Sequence, residues 1–121
     1  DDGRAMNNVA ELLETGGRAI VLVPHMQSFY GTLDKVLGHR RRYSKQALTQ
    51  LVESTGLTVE KILTFNRASS IPWWLNGKLL RRKSFGFMQM TMLNLITPLL
   101  KRVDRYLPLP ALSLIAILRK T

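Results

Sequence analysis

The chain has 121 residues, 45% of them hydrophobic, with two histidines and no cysteine. This fits one globular domain, excludes a disulfide framework or a thiolate zinc site, and leaves no metal site to expect. Eighteen Lys and Arg against eight Asp and Glu give a formal charge of +10, a positive field that draws anions, nucleic acid or an acidic membrane surface. In chain order, Met6, Val9, Leu12 and Leu13 recur at helical spacing before Gly16-Gly17, which predicts an opening amphipathic helix stopped by glycine. A helix starting so near the first residue is expected of a segment cut from a larger domain. Ala19-Ile20-Val21-Leu22-Val23, ended by Pro24, is a continuous apolar run and predicts a strand buried on both faces, of the kind found in parallel sheets. Ser44 is placed to cap a second helix, whose stripe Ala47, Leu48, Leu51 and Val52 runs out near Gly56. Residues 57–65, with Leu57, Val59, Ile62, Leu63 and Phe65, predict a second strand, so that strand, helix and strand make a crossover unit. Residues 69–106 carry helical spacing twice, around Trp74-Leu75-Leu79-Leu80 and around Met88-Met92-Leu95-Leu99, as an inserted helical pair would. Ala111 to Leu118 then predicts a closing strand. No repeat, linker or low-complexity stretch divides residues 1–121.

The first residues, Asp1-Asp2-Gly3-Arg4, are polar and unlike a secretory signal. The uncharged run 85–100 is broken by Gln89, Thr91, Asn94, Thr97 and Pro98, whereas a spanning helix needs ~20 mostly apolar residues. A cytoplasmic location is expected, with contact at the inner membrane face as an option. The basic residues fall in three places, Arg40-Arg41-Arg42, Arg81-Arg82-Lys83 and Lys101-Arg102. They lack the dense aromatic interleaving of a single-strand binder, so nucleic acid is not the expected partner.

The order helix, Leu13-Glu14-Thr15-Gly16-Gly17-Arg18, apolar strand, Pro24, helix, strand, insertion and closing strand resembles the second half of class I S-adenosylmethionine-dependent methyltransferases. In that family the Gly-Gly element precedes the fifth strand, the next helix leads to the sixth, and the seventh returns antiparallel between them. Two strings sharpen the likeness: Tyr30-Gly31-Thr32-Leu33-Asp34 through Leu37-Gly38-His39-Arg40-Arg41-Arg42-Tyr43, and Trp73-Trp74-Leu75-Asn76-Gly77-Lys78-Leu79-Leu80-Arg81-Arg82. They look like a bacterial subgroup associated with glycosyltransferases. Thr15 departs from the proline usual before the glycines. The resemblance implies an α/β fold, the carboxy-terminal half of a Rossmann-like methyltransferase domain. It also implies a three-stranded partial sheet of two parallel strands and an antiparallel closing strand, with flanking helices and the helical insertion. The family holds S-adenosylmethionine with a glycine-rich turn after the first strand and an acidic residue after the second. Neither has a place here, so the cofactor is expected to bind the parent protein and not this segment alone.

Ligands bind beyond the carboxyl ends of strands in open α/β sheets, which puts the residues after Pro24 on the substrate side. His25 is therefore a candidate acid or base, against the plainer reading of a solvent-exposed loop histidine. His39, Arg41 and Tyr43 in the basic run, with Tyr30 ahead of it, are candidates to hold a phosphate or carboxylate of the substrate. The competing role for the run His39-Arg40-Arg41-Arg42-Tyr43 is structural, with arginine against a helix end or an acidic neighbour and Tyr43 packing the start of the next helix. Asp34 and Asp104 have no partner carboxylate at useful spacing and are expected in salt bridges. Trp73, Trp74 and Asn76 beside Arg81-Arg82-Lys83 have the composition of an acceptor-binding or membrane-interface surface. At least one of the two tryptophans is expected to pack structurally. Met88 and Met92 share a helix face and are expected in the core.

Two functions are open on these residues. One is a share in methyl transfer to a glycan or lipid-linked intermediate, with the missing amino-terminal half of the domain as partner, an anionic or lipid-linked acceptor, and self-association of the segment on its own. The other is a non-catalytic basic module that binds an anionic membrane surface or nucleic acid.

Overall fold

The computed structural model describes residues 1–121. Helix α1 (Asp2–Leu12) begins at Asp1, whose carboxylate accepts the Arg4 amide at 3.1 Å, so an orphan donor of the first turn is satisfied. Gly16, at φ 82°, then turns the chain into strand β1 (Arg18–Pro24). Helix α3 (Lys45–Glu53) starts at Ser44, whose hydroxyl oxygen accepts the Ala47 amide at 3.0 Å. It leads through Gly56, at φ 76°, into β2 (Leu57–Phe65). Between β1 and α3 lie a 3-10 turn (Gln27–Phe29) and the short helix α2 (Thr32–Val36). Helix α4 (Ser70–Trp74) continues as one π turn (Leu75–Leu79), and α5 (Phe87–Val103) runs into a 3-10 turn (Asp104–Tyr106) before β3 (Ser113–Lys120).

The sheet order is β1-β3-β2, and β3 is antiparallel to both neighbours. The antiparallel strand between the other two is the one the resemblance implies, and the sheet contains no parallel ladder. β1 and β2 run in the same direction because each opposes β3, and no ladder joins them. The closing strand also begins two residues later than its apolar run, so Arg119 and Lys120 belong to it. A register shift between Val59 and Lys61 turns Glu60 toward the far strand, where it accepts Arg18 Nε at 2.7 Å and Nη2 at 3.0 Å across β3.

One sheet face carries the core. Val21, opposite Ala116, and Val23, opposite Leu114, share it with Leu118, and Met6 of α1 with Leu48 and Val52 of α3 closes over them. The other face is open. Ile20 pairs with Ile117 and Leu22 with Ile115, yet Ile20 is 74% exposed and Leu22 61%, and Leu63 and Phe65 of β2 are exposed as well. β1 is therefore buried on one face only, against the expectation of a two-sided strand. A strand awaiting cover has the same composition as one that has it, so the apolar run alone does not distinguish the two. Burying such a side chain stabilises by roughly 1.5–3 kcal/mol, so this face forgoes several such contributions.

The insertion forms the two expected helices, but α5 buries none of its residues. Met88 and Met92 are exposed and are not core residues. Met92 lines a shallow cavity with Pro72, Asn76 and Phe85, but neither side chain is covered. No helix is long and apolar enough to cross a membrane.

Candidate functional site

The two strings singled out in the sequence meet. A Cβ on Gly31 would sit 2.6 Å from the Gly77 carbonyl oxygen, so only glycine allows the segment ahead of α2 to lie this close to the π turn. Leu33 packs over Gly77, and the Thr32 hydroxyl lies 2.9 Å from the Gly77 carbonyl oxygen and 2.5 Å from that of Arg82. The insertion is thereby tied to the segment that leaves the carboxyl end of β1.

Beneath this contact is a buried charge network. Asp34 accepts Arg42 Nε at 2.9 Å, His39 Nδ1 at 3.1 Å and the Gly31 amide at 3.1 Å, and its side chain has no exposure. Arg42, whose side chain is 2% exposed, also donates from Nη1 to the carbonyls of His25 at 3.0 Å and Leu112 at 3.3 Å. Its guanidinium lies 5.1 Å from the centre of a Trp73 ring, a cation–π distance. One arginine thus joins β1's exit, the segment before β3, α2 and the insertion. Asp34 is in the salt bridges expected of it. Asp104 is not: its carboxylate accepts the Ala68 amide at 2.9 Å.

The sequence-derived candidates divide among different places. His25 is half-buried at the exit of β1, with Nδ1 2.7 Å from the Tyr43 carbonyl. A carbonyl only accepts, so Nδ1 carries the hydrogen, and in the neutral ring the lone pair is then on Nε2. His39, Arg41 and Tyr43 share a cleft of about 400 Å³ with Asp1, Asp2, Pro24, Gly38 and Arg40. There Arg41 and the Tyr43 hydroxyl both bond the Asp2 carboxylate, and the Arg41 guanidinium lies 4.7 Å over the Tyr43 ring. The hydrogen bond from Tyr43, with that from Arg41, holds the Asp2 carboxyl down at about 2, while burial and the Asp2 contact push the Tyr43 phenol up. These groups tie α1 to the basic run. Tyr30 lines a second cleft and donates from its hydroxyl to the His39 carbonyl at 2.9 Å.

Trp73 and Asn76 form the wall under the insertion. Asn76 is 2% exposed, and its Nδ2 donates to the Pro72 carbonyl at 2.8 Å. Its Oδ1 and the Trp73 Nε1 have no partner. Trp74 is exposed beside Ile71, Leu75, Leu79 and Leu80. No group of three or more metal-ligating side chains forms. Arg42 lies in the basic run whose competing role was structural, but the sequence did not single it out. It stands between two residues that were singled out, and only the tertiary meeting of Asp34, Trp73 and two carbonyls distinguishes it from Arg40 and Arg41.

No family model matches the chain, and no curated protein is significantly similar to it. Among solved structures, it is similar to a protein from Galdieria sulphuraria described as a candidate sarcosine dimethylglycine methyltransferase, with 15% identity and a TM-score of 0.55. The likeness covers 100% of this chain and 48% of that one. The fold is therefore methyltransferase-like, and the chain spans about half the length of the structure it matches.

Proposed function

We propose that this chain is the carboxy-terminal half of an S-adenosylmethionine-dependent methyltransferase domain, supplying half the sheet and the acceptor-side pocket for a glycan or lipid-linked intermediate. The observation that carries the reading is the sheet order β1-β3-β2 with the last strand antiparallel between the other two, in a chain whose likeness to a methyltransferase structure stops at half of it. The open face around Ile20 and Leu22 and the free edge of β1 suit an amino-terminal half that continues the sheet and brings its own helices. Without that half, the same surface favours self-association of the segment.

The residues present do not make a cofactor cradle. No strand here runs through a glycine-rich turn into a helix: Gly16 and Gly17 precede β1, and a Cβ on Gly17 would meet the Glu14 carbonyl oxygen at 2.8 Å, so the pair forms a tight turn against its own helix end. No chemical step is derived through the cofactor from these residues. Within the reading, His25 Nε2 is the base nearest the strand ends, and Tyr30, His39, Arg41, Tyr43, Trp73, Trp74 and Asn76 border the acceptor side. Titration calorimetry with S-adenosylmethionine tests the assignment. The parent protein is expected to bind it and the 121-residue chain is not. Micromolar binding by the chain alone would show the cofactor half to be misplaced, and no binding by the parent would remove the enzyme reading.

A second reading has its own observation. Ile71, Trp74, Leu75, Leu79, Leu80 and Phe87 are exposed around Arg81, Arg82 and Lys83, an apolar and basic surface suited to peripheral contact with an anionic membrane. Sedimentation with anionic vesicles that does not weaken with salt would count against it.

A further inference from the structure

The Gly31–Gly77 contact is the floor of a cleft of about 480 Å³ lined by Tyr30, Thr32, Lys35, Lys78 and Arg81. Three cationic side chains surround it, and no carboxylate lines it. The nearby acid, Asp34, is turned inward and occupied by Arg42, His39 and the Gly31 amide. Lys35 and Arg81 make no side-chain hydrogen bond or ion pair within the chain. Lys78 gives one hydrogen to the Ser28 carbonyl at 2.6 Å, and an ammonium has two more to offer. The Tyr30 hydroxyl is committed to the His39 carbonyl, so that residue serves as a wall.

The backbone is bent to present this arrangement. Arg81 sits at φ 49°, in the left-handed region that a bulky residue rarely adopts. It is held there by both backbone groups of the next residue: the Arg82 amide donates to the Asn76 carbonyl at 2.7 Å, and the Thr32 hydroxyl reaches the Arg82 carbonyl. Like charges brought together without a counter-charge repel, and the arrangement is relieved when an anion enters.

We propose that this cleft is a binding site for a phosphate ester or diphosphate group, with Lys35, Lys78 and Arg81 as its ligands. Resting on the methyltransferase reading, that group belongs to the acceptor, which makes the acceptor a phosphorylated or diphosphate-linked molecule. Guanidinium and ammonium groups supply charge-assisted hydrogen bonds of the kind that phosphate oxygens accept. The group is carried either by a soluble molecule or by a lipid headgroup.

Titration of the chain with pyrophosphate at fixed ionic strength is the test. The Lys35→Gln/Arg81→Gln double variant is expected to weaken binding about tenfold or more. An Arg4→Gln/Lys45→Gln variant, which removes the same charge outside the cleft, is expected to change it less than about twofold. Lys35→Gln alone makes no change to the hydrogen bonding of the fold and serves if the double variant unfolds. Vesicles of phosphatidylcholine with and without phosphatidic acid then separate the sources. Binding that pyrophosphate competes away and Lys35→Gln weakens assigns a lipid headgroup, and pyrophosphate binding without vesicle binding assigns a soluble one. Equal losses in both double variants, or no binding at millimolar pyrophosphate, would overturn the proposal. No methyl donor enters these assays, so failure of methyl transfer in the parent protein would leave their outcome standing.

Discussion

Removing the Asp34 carboxylate leaves Arg42 charged in a site where its side chain is 2% exposed and its only ion-pair partner is gone. Two carbonyls still accept from Nη1, but they do not balance the charge. Breaking one side of a buried pair costs roughly 3–5 kcal/mol, and orphaning the half-buried Gly31 amide adds roughly 1 kcal/mol. Asp34→Ala is thus expected to lose about 5 kcal/mol, a large share of the ~5–15 kcal/mol that stabilises a domain. With a urea slope of about 2 kcal/mol/M, the unfolding midpoint falls by about 2.5 M. Arg41→Ala is the comparison. Its bond to Asp2 joins side chains 52% and 41% exposed, and such pairs contribute about 1 kcal/mol or less. Replacing Asp34 and Arg42 together is expected to cost less than the two single losses added, because neither charge is then left alone. Urea unfolding followed by far-UV circular dichroism reads all three. An Asp34→Ala midpoint within ~0.5 M of the unaltered chain, no different from Arg41→Ala, would refute the view that this pair joins the insertion to the sheet.

The Asp2 carboxyl is held at about 2, below its usual 3.8, so the stability it contributes is present above pH 3.8 and lost as pH falls toward 2. In Tyr43→Phe the carboxyl is expected to titrate closer to 3.8, as followed by carbon-detected NMR, and the acid loss to be smaller. Gly31→Ala places a Cβ 2.6 Å from the Gly77 oxygen, an overlap expected to cost about 1–3 kcal/mol in urea unfolding. An unchanged midpoint would mean that the two strands of chain are not in contact. Val21 faces the core, so Leu22→Lys on the open face is the cleaner probe of association. It is expected to shift light scattering toward monomer across a dilution series while changing stability by less than about 0.5 kcal/mol.

Local chemistry explains what could be read in advance. β2 was legible because its apolar residues and its bounding Gly56 lie within the strand and its turn, and α3 because Ser44 announces its own cap. Pairing and cover were not legible in the same way. The antiparallel neighbour of β1 follows from the resemblance and not from the residues of β1, since β3 lies about ninety residues later in the chain, and whether Ile20 is buried depends on what lies over it. Helix α2 has five residues, too few to show a helical period. Met88 and Met92 have the spacing of a core stripe on a helix that is only partly covered. The candidate site was legible as two strings, but their meeting was not, since a glycine beside a glycine in space leaves no mark in either string alone. Arg42 was hidden between neighbours of the same composition.

Every rung of the sheet has one foot on β3, the last strand to be made. While the chain is being synthesised, β1 and β2 find no partner for their inner edges within residues 1–112, and no hairpin between sequence neighbours can start this ladder. Such non-local pairing is slow to form. Until Ser113–Lys120 leaves the ribosome, the edges of β1 and β2 that meet β3 stay open, and a chain cut short before Ser113 lacks every ladder of this three-stranded sheet. Translation speed and chaperone supply should therefore govern the yield of this protein as strongly as the stability of the finished fold.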